Sequence, residues 1–146
     1  MDAVYSTFRA VLSSKVMILA AGGALGTNAR YWLALWLNEA SWRTHGTWLS
    51  SFPLGTFLVN VTGSFILGLV GTVFLERLDH REWFLLLGTG FCGGYTTFST
   101  FEWETLQLLR DGSWRMAAVN VVGSVAVGFI GVVLGAVVGN LIFPRQ

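Results

Sequence analysis

Charge is what this 146-residue sequence has least of. Asp, Glu, Lys and Arg make up 12% of it, about half of the roughly 25% usual in a soluble domain. Nine basic and eight acidic residues leave a net charge of +1, so neither a basic patch for nucleic acid nor an acidic tail is on offer. The single cysteine, Cys92, excludes an intrachain disulfide framework and a cysteine-built metal site. Prolines number two against eighteen glycines. What fills the space is apolar: 53% hydrophobic residues, seven tryptophans and a mean hydropathy of +0.62. A chain of this size makes one domain, too small to hide so much apolar surface from water. That excludes a water-soluble enzyme. Cys92, His45 and His80 also stand without a nucleophile–base constellation.

The charges cluster and leave long gaps. Residues 44–75, 83–101 and 116–144 hold no Asp, Glu, Lys or Arg, and 16–37 hold only Arg30. A helix needs about 20 apolar residues to cross a bilayer core of about 30 Å. The gaps therefore predict a single all-α transmembrane domain over 1–146, with spans at 16–37, 53–75, 83–108 and 116–142. The runs do not alternate in polarity as barrel strands would, which leaves helices as the way to satisfy backbone in lipid. The first run continues to Leu37, longer than the apolar region of a signal peptide. Residues 1–14 read as an amphipathic or loosely ordered interfacial tail. Four spans put Arg9, Lys15, Arg77, Arg81 and Arg145 on one side, and Arg43, Arg110 and Arg115 on the other with Arg30 towards it. So small an imbalance permits insertion in both orientations.

Small and polar residues pattern the spans. Gly22 and Gly26 in the first, and Gly131, Gly135 and Gly139 in the fourth, recur at helical spacing and predict close helix packing. Thr56, Asn60 and Ser64 share a face of the second span, as do Asn120, Ser124 and Gly128 of the fourth. Two such stripes in a small bundle suggest a polar track. Arg30, the one charge well inside an apolar span, reads either as functional or as snorkelling to the interface. The third span holds the densest signal, from Gly88 to Phe101. Its glycines and hydroxyl residues make a poor helix, so a break is expected near Gly93 to Thr97, freeing carbonyls for a cation or polar partners. Phe98 and Phe101 would share a face where the helix resumes.

Three stretches together carry a resemblance. Gly22-Gly23-Ala24-Leu25-Gly26-Thr27-Asn28-Ala29-Arg30-Tyr31, Gly55-Thr56-Phe57-Leu58-Val59-Asn60-Val61-Thr62-Gly63-Ser64-Phe65 and Gly93-Gly94-Tyr95-Thr96-Thr97-Phe98-Ser99-Thr100-Phe101 resemble, in order, the span motifs of the CrcB/Fluc family of fluoride channels. The resemblance implies an antiparallel, dual-topology homodimer in the inner or plasma membrane, with two pores that export fluoride passively and confer fluoride resistance. It places Asn60, Phe98, Ser99, Thr100, Phe101 and Ser124 along the pore, with Arg30, and with Glu104 near the pore end. It also implies a structural sodium ion at the dimer centre, on the backbone carbonyls of Gly93 and Thr96. Thr27 stands where alanine is common in the family, and Asn120 and Gly128 where some members carry tyrosine and a second serine.

The chemistry fits such a pore. Fluoride is small and tightly hydrated, so a selective path must replace its water with donors: an Asn60 amide, the hydroxyls of Ser99 and Thr100, and the positive ring edges of Phe98 and Phe101. Two other functions remain in view. A small proton-coupled exporter of cationic compounds would want a membrane-embedded carboxylate, whereas Glu102 and Glu104 sit at a span's end. A non-transporting membrane subunit would leave the irregular third span as an accident of packing.

Overall fold

The computed structural model describes the backbone of residues 2–41 and 52–144, and the side chains of 14–37 and 52–144. Arg43, His45, Arg145 and the side chain of Arg9 lie outside the described residues.

Helix α1 (Asp2–Ser41) is a 40-residue helix that covers the first predicted span and the stretch read as an amphipathic or loosely ordered tail. Helix α2 (Leu54–Arg77) begins behind Pro53 and widens to i→i+5 turns over Thr72–Arg77. Helix α3 (81–95) carries the same wide turns through Leu85–Cys92. Helix α4 (Phe98–Arg110) follows after two residues, and α5 (Trp114–Ile142) completes an all-helical architecture, with no strand among the described residues. Between α4 and α5 the chain reverses in three residues. Gly112 takes φ +72°, the Ser113 N–H reaches the Leu108 carbonyl at 2.8 Å, and the Gly112 N–H reaches that of Leu109 at 3.1 Å. This is the glycine-terminated C-cap that satisfies the last helical carbonyls, and a side chain at Gly112 would strain it.

Two helix pairs organise the bundle: α5 lies along α2, and α1 lies along α3. The glycine faces make the contact. Gly22 and Gly26 face α3, and Gly131, Gly135 and Gly139 face α2. At Gly135 the approach is so close that a Cβ would collide with the Phe65 carbonyl. Arg77, at the end of α2, donates to Asn140 Oδ1 near the end of α5, so the two ends share one side.

Burial runs opposite to that of a soluble protein. Met17, Trp32, Trp36, Val122, Phe129 and Leu141 are exposed, while Thr56, Thr72, Thr97 and Asn120 are buried. Leu54–Arg77 and Trp114–Ile142 reach mean hydropathies of 2.0 and 2.5, yet only 28% and 17% of these apolar windows is buried within the chain. The core helix of a soluble protein would be mostly buried. Apolar surface turned outward over lengths sufficient to cross a bilayer marks a membrane protein.

Candidate functional site: the α3–α4 junction and two flanking cavities

The site is built around the junction of α3 and α4. Thr96 (φ −78°, ψ 158°) and Thr97 (φ −149°, ψ 111°) leave the helical region for extended backbone. Such a junction strands helical hydrogen-bonding groups, and neighbouring side chains take them up. The Thr97 N–H, which in a continuous helix would serve the Gly93 carbonyl, donates to Asn60 Oδ1 at 2.8 Å. Asn60 Nδ2 donates back to the Thr97 carbonyl at 3.1 Å. The side-chain amide of α2 thus pairs with the Thr97 peptide as a second peptide would. Thr97 also caps α4: its Oγ1 accepts from the Thr100 N–H at 3.2 Å and donates to Thr100 Oγ1 at 2.9 Å. Because Thr100 Oγ1 accepts that bond, its own proton stays available.

Arg30 turns inward. Its Nη1 donates to the Thr96 carbonyl at 3.2 Å, so the guanidinium of α1 meets the junction. The carbonyls of Gly93 and Thr96 have both lost their helical donors, to Asn60 and to the Thr97 hydroxyl. Hard, uncharged oxygens of this kind suit an alkali cation. Thr96 retains a lone pair beyond the one Arg30 uses, and a Cβ at Gly93 would meet nothing within 4 Å. Two carbonyls from one chain underfill a sodium shell, and a symmetry-related second chain would double them. These two carbonyls are the oxygens this chain would offer such an ion, with Arg30 already on one of them.

Two cavities flank the junction. The larger, about 580 Å³, brings together Asn60, Ser64, Gly93, Thr96, Phe98, Phe101 and Ser124. The two phenylalanine rings lie 5.6 Å apart between centroids at an interplanar angle of 39°. Phe101 is buried at 8% exposure, whereas Phe98 is 70% exposed. The smaller, about 380 Å³, is lined by Arg30, Thr56, Thr97, Thr100 and Glu104 among others. There Glu104 Oε1 accepts from the Thr56 hydroxyl at 2.9 Å, while Oε2 is buried without a hydrogen-bond partner among the described residues. The residues expected along one path thus divide: Asn60, Phe98, Phe101 and Ser124 share the first cavity, and Arg30, Thr100 and Glu104 the second. Ser99 is exposed and lines neither.

Thr56 stood in the polar stripe read from the second span, whereas Thr97 and Thr105 were not given site roles by the sequence. Thr97 carried a usable signal, a threonine directly ahead of a resuming helix, which is the N-cap preference. The partners of Thr56 and Thr105 lie 48 and 15 residues away, and for Thr105 no local pattern announces the site.

Comparison with known proteins settles the family. Residues 17–136 match the family model described as CrcB-like protein, Camphor Resistance (CrcB). The chain belongs to the CrcB family. It is 46% identical over 129 residues to a protein of Acidobacterium capsulatum named fluoride-specific ion channel FluC, covering 88% of this chain and 98% of the relative. Proteins of the same name from Solibacter usitatus and Pyrococcus abyssi are 43% identical over 132 residues and 45% over 125. These alignments span 86% and 85% of this chain, and 98% and 94% of theirs. The CrcB match contains both cavities and the junction between them.

Proposed function

We propose that this chain is a fluoride-selective channel through which fluoride leaves the cell passively. The observation that carries the reading is the larger cavity, where two phenylalanine rings, an amide and a serine hydroxyl converge in a CrcB-family membrane protein. Fluoride gives up tightly held water only to compensating donors. Asn60 spends one amide proton on Thr97 and keeps the other for an anion. Ring edges are weak donors, and weak binding lets the ion leave again. Across a cytoplasmic membrane with a negative interior, ~100 mV favours exit of a monovalent anion by about 2.3 kcal/mol.

The same reading makes the functional unit an antiparallel, dual-topology homodimer in the inner or plasma membrane, its third span interrupted at Thr96 and Thr97. The exposure of Phe98, beside polar Ser64, Gly93 and Thr96, supports a second chain completing that cavity. Sodium, when bound, would be held by the Gly93 and Thr96 carbonyls and would tie the two chains together through their backbones. Exchange of sodium for a large organic cation is expected to lower dimer stability and flux together; neither changing would remove the ion from the account.

The smaller cavity argues against a cation exporter. Glu104, the carboxylate lining that cavity, shares it with the Arg30 guanidinium, which repels a cationic substrate. Vesicles loaded with fluoride and clamped at a potential, with the proton gradient collapsed by an ionophore, test the reading. Efflux should follow the potential alone, and efflux that needs the proton gradient would overturn a passive channel.

A further inference from the structure

We propose that Asn120 and Thr105 are positioning residues that fix Phe101 and Ser124 relative to each other across the larger cavity. The inference rests on the channel reading above. Phe101 comes from α4 and Ser124 from α5, and neither helix alone sets the distance between them. A run of hydrogen bonds joins the two. Ser124 Oγ donates to Asn120 Oδ1 at 3.4 Å, Asn120 Nδ2 donates to Thr105 Oγ1 at 2.8 Å, and Thr105 Oγ1 donates to the Phe101 carbonyl at 2.8 Å. An amide oxygen and a backbone carbonyl only accept, and an amide nitrogen only donates, so the proton order is fixed throughout.

Asn120 is 1% exposed, the most buried polar side chain of the described core. Such a group persists in an apolar bundle only because its bonds are made, and losing one partner costs more than the bond itself is worth. Neither Asn120 nor Thr105 lines the cavity, so neither touches an ion there. Their influence passes through the two residues that do. The bond from Ser124 is the longest of the run and the weakest. Its proton rests on Asn120 and is released when an anion in the cavity pulls harder.

Thr105→Val removes the hydroxyl at nearly constant shape, and Thr105→Ser restores it. In reconstituted vesicles Thr105→Val is expected to lower fluoride flux by about tenfold and to reduce the fluoride-over-chloride ratio, while Thr105→Ser returns both towards wild type. Asn120→Leu should match Thr105→Val, and the double variant should be no worse than either, because all three break one run. Flux and selectivity at wild-type level in Thr105→Val, no rescue by serine, or effects that multiply in the double variant would overturn the proposal. Should Thr105→Val fail to assemble, Asn120→Leu against wild type carries the same decision, since it severs the run from the α5 side. Fluoride-tight vesicles containing the unaltered protein would instead defeat the channel reading itself.

Discussion

Fluoride efflux from vesicles carrying Phe98→Ile is expected to fall to the leak of protein-free vesicles, with the dimer intact. The expectation follows from what the ring supplies and how little the fold asks of it. Phe98 is 70% exposed in the chain, so its loss creates no cavity in the chain's own core, and dimer content measured alongside checks that assembly is spared. Its ring lies beside that of Phe101 at 5.6 Å between centroids, and isoleucine has no positive edge to offer an anion. An ion stripped of water would then face aliphatic surface on one side. Even ~4 kcal/mol added to the barrier slows passage by about a thousandfold. Phe101→Ile should abolish flux too, but Phe101 is buried at 8%, so that variant also loses packing and needs its dimer content measured alongside. Wild-type flux in Phe98→Ile would retire the ring as a pore element.

The second large effect is expected at Asn60. Asn60→Asp keeps the size of the side chain and reverses what it can do. The Oδ1 that accepts from the Thr97 N–H survives, but the Nδ2 that donates to the Thr97 carbonyl becomes an oxygen, setting two acceptors about as far apart as the present 3.1 Å bond. The carboxylate also places a negative charge on the cavity where the anion must pass. Both consequences oppose conduction, and flux should drop by at least about a hundredfold, near 2.7 kcal/mol. The Asn60→Ser variant separates them: it loses the two-way pairing without adding charge. Comparable losses in both would place the effect in the junction's geometry; a much deeper loss in aspartate would place it in electrostatic repulsion. Full activity in Asn60→Asp would contradict the position of Asn60 beside the path.

How far these properties could be read in advance differs by scale. The all-helical architecture was legible because the charge-free gaps are long and the lengths needed to span lipid are fixed by the bilayer. The glycine faces were legible too: Gly22 and Gly26 meet α3, and Gly131, Gly135 and Gly139 meet α2, at the spacing that marked them. Family membership followed from three motifs in order. Partner choice was hidden. That Asn60 pairs with a peptide 37 residues on, or that Arg30 reaches the carbonyl of Thr96, depends on how the helices turn about their axes. Residue spacing within one helix carries no such information. For the same reason Ser99 and Thr100 read as equals in the sequence, yet of the two Thr100 lines the smaller cavity and Ser99 lines neither of those described, because consecutive helical residues point about 100° apart. The length of α1 was missed since Lys15 and Arg9 look like an interfacial boundary, and a helix can run through such residues once outside the hydrocarbon.

The central claim is that amide, hydroxyl and ring-edge donors in this bundle replace the water around fluoride and do not do so for larger halides. Anion efflux from vesicles containing the purified protein, with fluoride, chloride and bromide compared under the same driving potential, measures it directly. The account predicts rapid fluoride loss with chloride and bromide retained; equal leakage of all three, or retention of all three, would contradict it.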